Sequence, residues 1–373
     1  MSKIKILMVL NNPGRGGSQT YAMNVLRSID RAKFQIDFVF SVDKNNSYKE
    51  EILSLGSKIH FIPEFKIFNY STYSSKWYNL LRENKYDIVH GHVSSSAVIY
   101  LKIAKKCGCK TIVHSHSAGY RGNACLRAIK YIFTKGAKWY ADYWFACSDK
   151  AARRLFGINY SEDSRYHLIP NAIDVKRFMF DEEKRTKIRS LHNITNDTLV
   201  CGHVGSFSTP KNHKYLLEIF KRILMDKPSS LLVLVGDGYL RKSIVAQAKE
   251  LNIYDKIILV GNVGNANEYM MAMDVMIFPS LFEGFPVTVL EAQATGLSSL
   301  ISDTITTEVD LTDLVMRLSI NEDCNVWAKN MKNIPSKDRR HYNNIIAETK
   351  YSMDNSIESL CNIYKMAANH NNF

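Results

Sequence analysis

Two glutamates eight positions apart, Glu283 and Glu291, bracket the segment Gly284-Phe285-Pro286-Val287-Thr288. Pro286 suits the first turn of a helix, where its missing N–H would have no intrahelical partner in any case. The amides of Val287 and Thr288 are then free at a helix N-terminus, which is a ready site for phosphate. A carboxylate accepts two hydrogen bonds from a vicinal diol at once. Acids flanking such a helix start therefore suggest a diphosphate with sugar hydroxyls on either side. Taken singly, Glu283 reads as a surface loop residue and Glu291 as an exposed helix residue.

Other residues add to this picture or compete with it. Lys211, between Pro210 and Asn212, is a cation that could meet a phosphate or remain a solvated loop lysine. The loop Gly14-Arg15-Gly16-Gly17-Ser18 invites a dinucleotide reading, but that fingerprint needs glycine at position 19, which is Gln19. Gly16 and Gly17 permit close approach of backbone to a ligand, and they fit a plain turn equally well. His114 and His116 alternate onto one side of a strand end, and His90 and His92 form a second such pair. Zinc is conceivable from the four residue types, yet no Cys or carboxylate spacing supports it. Polar lining is expected of both pairs, with a buried structural role for His90.

These residues need a scaffold, and the hydrophobic pattern supplies one. KILMVL (5 to 10) is a short apolar run without alternation, followed by a polar loop and an amphipathic stretch from Ser18 to Ile29, which reads as strand, loop and helix. The pattern recurs at FQIDFVF (34 to 40), KIHFI (58 to 62), YDIVHGH (86 to 92), KTIVHSH (110 to 116) and YWFACS (143 to 148). After a break near IPNAIDVKRF (169 to 178) and a charged, solvated-looking helix over Asp181 to Arg189, it restarts. TLVCGHVG (198 to 205), SLLVLVGD (230 to 237), KIILVGN (256 to 262), DVMIFPS (274 to 280) and SSLISD (298 to 303) carry the same signature. The alternation predicts an α/β protein of two Rossmann-like, doubly wound domains facing a cleft. The expected domains are 1–172, joined by a helix over 355–373, and 173–354. Within that last segment Ile357, Leu360, Cys361 and Tyr364 form the stripe of a docking helix.

Composition bounds the rest. The 373 residues are 46% apolar and 23% charged, which are globular values. The net charge of +13 is uneven, because residues 1 to 170 hold 26 basic and 12 acidic side chains. Seven cysteines without a C-x-x-C pair fit reduced thiols in a cytosol. MSKIKILMVLNN is too short an apolar run for a signal peptide, and no run approaches the ~20 residues of a spanning helix.

The stretch Phe282 to Ala292 resembles the E-x7-E signature of retaining GT-B glycosyltransferases of the large family 4. The likeness extends over nearly the whole chain. GHVGSFSTPKNHKYLLEIF (202 to 220), LLVLVGDGYLRKSI (231 to 244), VGN (260 to 262) and ATGLSSLISDTITTEVDLT (294 to 312) resemble that family's C-terminal domain. The glycine loop, HSHS and IPNAID resemble its acceptor half. Within the family the chain is similar to transferases of bacterial capsular and exopolysaccharide clusters.

The resemblance implies a retaining transfer of a sugar from a nucleotide diphosphate, UDP-linked, to a lipid-linked or oligosaccharide acceptor. It places Glu291 on the donor ribose, Glu283 on the donor sugar ring and Lys211 on the diphosphate. Amides near Gly284 to Thr288, with Phe285, Pro286 and Val287 between, would meet diphosphate and sugar. Gly16 or Gly17 would approach the donor phosphate, Asn262 would belong to the donor site, and His116 would lie near the reacting sugar. Domain closure would bring Lys211 and His116 together. Ser206 stands where the family usually carries arginine, so one phosphate cation is replaced by a hydroxyl. No Asp-x-Asp occurs, so neither metal nor another cofactor is expected.

From Ile88 to Ala141 there is no acidic residue, while Lys102, Lys105, Lys106, Lys110, Arg121, Arg127, Lys130, Lys135 and Lys138 accumulate. Tyr131, Phe133, Trp139, Tyr140, Tyr143 and Trp144 are interleaved or follow closely. Such a mixture suits an anionic lipid surface or nucleic acid, and it also fits Tyr143 and Trp144 starting a buried strand while the lysines solvate helices. A lipid-linked acceptor favours the membrane, so the expected location is cytoplasmic, peripheral at the inner face of a bacterial cell membrane, with no nucleic acid partner. The alternatives are a same-fold sugar-nucleotide epimerase and a basic nucleic-acid-binding protein.

Overall fold

The structure is a computed structural model that describes residues 2–14, 17–42, 48–116, 134–331 and 338–369. It divides into two compact units, Met1–Ala172 with Met353–Phe373, and Ile173–Ser352.

The first unit is built on a seven-stranded parallel sheet. Its strands are β1 (Ile4–Leu10), β2 (Phe34–Phe40), β3 (Ile59–Phe61), β4 (Ile88–Gly91), β5 (Lys110–Ser115), β6 (Tyr143–Ala146) and β7 (Tyr166–Leu168), in the order β3-β2-β1-β4-β5-β6-β7. Central strands read as continuous apolar runs because both faces are covered. Leu7, Val9, Val89 and Val113 face one core with Trp77, Tyr100 and Leu155, while Ile6, Met8, Ile88 and Ile112 face the other. The second core is closed by the helix Met353–Asn369, which buries Leu360, Ile363, Tyr364 and Ala367 against β1 and β4. The apolar stripe read from the sequence is thus the inward face of that helix. Strand β7 was not foreseen: it is three residues long and only half-buried at a sheet edge, so it lacks the apolar run that marks its neighbours.

The second unit carries a six-stranded parallel sheet of β8 (Val200–Val204), β9 (Leu231–Val235), β10 (Ile257–Gly261), β11 (Val275–Phe278), β12 (Ser299–Ser302) and β13 (Val315–Leu318), ordered β10-β9-β8-β11-β12-β13. β13 also escaped the sequence reading, and it too is a half-buried edge. The helix Glu182–Leu191 starts where expected, with the Asp181 carboxylate accepting from the amides of Glu183 and Lys184. It is not simply solvated. Arg189 is 4% exposed, and Arg185 donates to the carbonyls of Met271, Ala272 and Met273 and, at 2.6 Å, to Asp274. A guanidinium can satisfy several helix-end carbonyls at once, which explains basic residues turned inward on a segment that composition marks as surface.

Two glycines in this unit set the loops that carry the site. Gly236 has φ +137°, and a Cβ there would run into the Gly205 carbonyl. At Gly238 a Cβ would meet the carbonyl of Phe207. The loop after β9 therefore lies directly on the loop after β8, an approach only glycine allows.

Candidate active site

In the second unit, β11 ends at Phe278 and the chain runs through Glu283 into the helix Val287–Ala294. Pro286 caps this helix instead of occupying its first turn, with φ −80° and ψ 85°. That conformation is an inverse γ-turn, and the Val287 amide accordingly donates to the Phe285 carbonyl at 3.0 Å. Val287 therefore does not offer the free amide expected of it. The Thr288 amide has no hydrogen-bond partner among the described residues. A Cβ on Gly284 would meet nothing within 4 Å, whereas the Phe285 ring is stacked on Tyr351 at 4.8 Å and is committed to packing.

Glu283 and Lys211 meet. Lys211 ends the turn Thr209–Lys211 that follows β8, and its Nζ donates to Glu283 Oε1 at 2.7 Å. Their side chains are 15% and 14% exposed. The ammonium also lies 4.5 Å from the centre of the Phe278 ring, and the Leu281 amide donates to the Pro210 carbonyl at 2.8 Å. Two loops from neighbouring strands are thus joined by a backbone bond and an ion pair. Ser206 is exposed beside them, its hydroxyl 2.9 Å from that of Ser208. Asn262 is exposed just past β10. Glu291, one turn into the helix, is half-buried, and its carboxyl has no partner among the described residues. Burial raises its pKa to about 7, against a smaller opposing effect of Arg177.

Two buried histidines went unnoticed in the sequence. His203 on β8 and His213 at the start of the helix His213–Asp226 pack with ring centres 4.8 Å apart. His203 Nδ1 is 3.0 Å from the Ile277 carbonyl, while its Nε2 and both nitrogens of His213 lack partners. Burial, aided by the nearby Lys211 charge, lowers the His213 pKa to about 4. They are neutral polar groups lining the base of the Lys211 loop. Their only trace in the sequence was a histidine inside an apolar strand and another at a helix start.

The first unit brings its four strand-end histidines together. His90 Nε2 is 3.2 Å from His114 Nδ1, and His92 Nδ1 is 2.7 Å from His116 Nε2. The His114 and His116 rings lie 3.9 Å apart, so one pair stacks on the other. Burial holds all four imidazoles neutral, with His90 and His116 lowered to about 3. His90 is fully buried, as expected of a structural role. Gly17 opens the helix Gly17–Ser28, and a Cβ on it would meet nothing within 4 Å. Gly16 lies outside the described residues, as do Arg121, Arg127, Lys130, Tyr131 and Phe133.

The basic and aromatic stretch divides. Trp144 is core, 4% exposed and stacked on Phe156 at 4.8 Å. Lys105 pairs with Asp142 at 2.8 Å, and Lys138 donates to the Phe156 carbonyl. Trp139 is 69% exposed. A more prominent apolar tip lies elsewhere: Ile67 and Phe68, on the turn Ile67–Asn69 before the helix Tyr70–Asn84, are 73% and 86% exposed. That turn follows β3 and so lies at the same sheet edge as His92 and His116, which follow β4 and β5.

Known proteins point one way. The family described as Glycosyltransferase Family 4 matches residues 15–177, and that described as Glycosyl transferases group 1 matches residues 184–350. EpsF of Bacillus subtilis, which carries the name of a glycosyltransferase, is 32% identical over 98% of this chain and 97% of its own. The Escherichia coli UDP-Gal:alpha-D-GlcNAc-diphosphoundecaprenol alpha-1,3-galactosyltransferase is 25% identical over 81% of this chain and 80% of its own. Among solved structures, Anabaena HepE in complex with UDP superposes with a TM-score of 0.79 at 14% identity, covering 98% of this chain and all of that one, a likeness of fold. With two parallel Rossmann-like sheets and both family matches in place, the chain belongs to the group 1, family 4 glycosyltransferases of GT-B fold.

Proposed function

We propose that this glycosyltransferase moves a sugar from a UDP-sugar to a hydroxyl of a lipid-linked glycan, with retention of anomeric configuration, during bacterial polysaccharide assembly. The observation that carries the donor reading is the joined loop pair: Lys211 against Glu283, the partnerless Thr288 amide, and Glu291 further along the same helix. A cation and an unpaired amide suit phosphate oxygens, and the acids suit hydroxyls. Glu283 is assigned to the sugar ring and Glu291 to the ribose. The open space over Gly284 and Gly17 is consistent with ligand backbone contact at both, and Asn262 is assigned to the donor end of β10.

Bond cleavage sends the electron pair of the anomeric C–O bond to the diphosphate. Lys211 and the Thr288 amide stabilise that charge as it develops. The acceptor oxygen attacks from the same face, and its proton passes to the departing phosphate oxygen. This route needs neither a covalent nucleophile nor a metal. His116, neutral, serves as a hydrogen-bonding partner for a sugar hydroxyl.

The lipid-linked acceptor is supported by the E. coli relative, whose name specifies a diphosphoundecaprenol substrate. Among the described residues no helix is long and apolar enough to cross a membrane. Contact with an anionic bilayer is assigned to the surface of the first unit, through the exposed Ile67–Phe68 tip and Lys66, whose ammonium lies 5.7 Å from the Phe68 ring centre. The deciding experiment is transfer from a panel of nucleotide sugars to a polyprenyl-diphosphate sugar, with product configuration read by NMR. A retained configuration supports the reading. An inverted one, or epimerised donor without acceptor, contradicts it.

A further inference from the structure

The histidine cluster of the first unit holds more ligand chemistry than a sugar contact requires. His92 Nε2, His114 Nε2, His116 Nδ1 and the Tyr21 hydroxyl are all buried without a hydrogen-bond partner. Tyr21 lies 5.0 to 5.8 Å, centre to centre, from His114, His116 and His92. An unsatisfied buried polar group is costly, and an ion would take up His92 Nε2 directly, with Tyr21 beside it.

We propose that His90, His92 and His114 form a binding site for a divalent late first-row transition-metal ion, of which zinc is the physiological candidate. One imidazole nitrogen from each lies within 4.8 Å of the others. Tetrahedral zinc with bonds of about 2.0–2.1 Å separates its ligand nitrogens by roughly 3.3 Å, and His90 Nε2 already stands 3.2 Å from His114 Nδ1. The remaining separations, within 4.8 Å, shorten to roughly 3.3 Å as the ion binds.

The outer contacts fit as well. Metal-bound histidines commonly donate their second ring N–H to a neighbour, which fixes the tautomer. His90 Nδ1 is 2.7 Å from the Tyr364 hydroxyl, and His92 Nδ1 is 2.7 Å from His116 Nε2. Both arrangements leave Nε2 as the free lone pair. The proton now shared between His90 and His114 moves to His114 Nε2 when the ion takes its place, so no net charge is lost from the ligands. Three neutral imidazoles with an open fourth position, available to water or Tyr21, select zinc, cobalt, nickel or copper over magnesium or calcium. The ion ties the ends of β4 and β5 to the C-terminal helix through Tyr364. It is structural, and the transfer proposed above does not run through it.

The test uses the full chain without an affinity tag, stripped with chelator and titrated with Co2+ and then Zn2+. The site predicts one equivalent of Co2+ with the visible absorption of tetrahedral cobalt, displaced by Zn2+, and a melting temperature raised by Zn2+. His92→Gln is expected to weaken Zn2+ binding at least about 100-fold, and His116→Ala, which removes the hydrogen bond supporting His92, about 10-fold. His341→Ala, elsewhere in the chain, leaves binding intact. His114 is fully buried, so its variant can fail to fold; half-buried His92 is the informative position, with circular dichroism confirming its fold. Absence of stoichiometric Co2+ and Zn2+ binding, or undiminished binding in folded His92→Gln, overturns the proposal and leaves a purely hydrogen-bonded imidazole array.

Discussion

Lys211 Nζ and Glu283 Oε1 are 2.7 Å apart although 72 positions separate them in sequence, so the cation and the acid assigned to the donor hold each other in place. Each is about 15% exposed, which puts the pair between a weak surface bridge and a costly buried one. Removing either partner leaves a half-buried charge uncompensated. Lys211→Ala and Glu283→Ala are each expected to lower unfolding free energy by about 1–3 kcal/mol. The double variant should lose clearly less than the sum. Chemical denaturation of the four proteins reads the coupling, and additive losses would show that the pair is not formed in solution. Donor-dependent transfer should fall roughly 100- to 1,000-fold in folded Lys211→Ala.

Glu291 gives a pH dependence with a definite sign. Its folded pKa is raised from 4.5 to about 7, so between those values the folded state holds more protons than the unfolded chain. Stability from this group is fully present below about pH 4.5 and is lost as pH rises through about 7. Glu291→Gln removes that slope. Melting temperature from pH 4.5 to 8 should therefore fall less in the variant than in the wild-type chain. A parallel pair of curves would contradict the raised pKa.

Gly17 and Gly284 separate fold from ligand. Neither would place a Cβ against protein atoms, so Gly17→Ala and Gly284→Ala should each change stability by no more than about 0.5 kcal/mol. If both backbones face the donor, the same variants raise its KM. Gly238→Ala provides the contrast, since its Cβ collides with the Phe207 carbonyl and unfolding should come first.

Ile67 and Phe68 are the expected membrane contact. Ile67→Ser with Phe68→Ser should reduce co-sedimentation with vesicles containing anionic lipid while leaving melting temperature and transfer to a soluble acceptor unchanged. Undiminished sedimentation would move the contact elsewhere, for instance to the exposed Trp139.

Periodicity made both sheets legible, because their central strands are covered on both faces and must be apolar throughout. The half-buried edges β7 and β13 carried no such mark. At the site, the residue types were readable around Pro286 but the turn was not: a shift of one helical position converts the Val287 amide from free donor to occupied one. Neither the Lys211–Glu283 pair nor the His203–His213 contact could be read, since each joins segments whose proximity exists only after the sheet forms. Trp144 was open to two readings, a lipid-facing aromatic or the start of a buried strand, and stacking on Phe156 and under Arg165 decides for the strand.

The most direct measurement is the shift in melting temperature across a panel of nucleotide sugars for the wild-type chain and Lys211→Ala, since a ligand specific to the folded state raises it by linkage. The account requires a saturable rise with at least one UDP-sugar and its loss in the folded variant. No rise with any nucleotide sugar, or an equal rise in both proteins, would contradict the assignment of the Lys211–Glu283 loops to the donor.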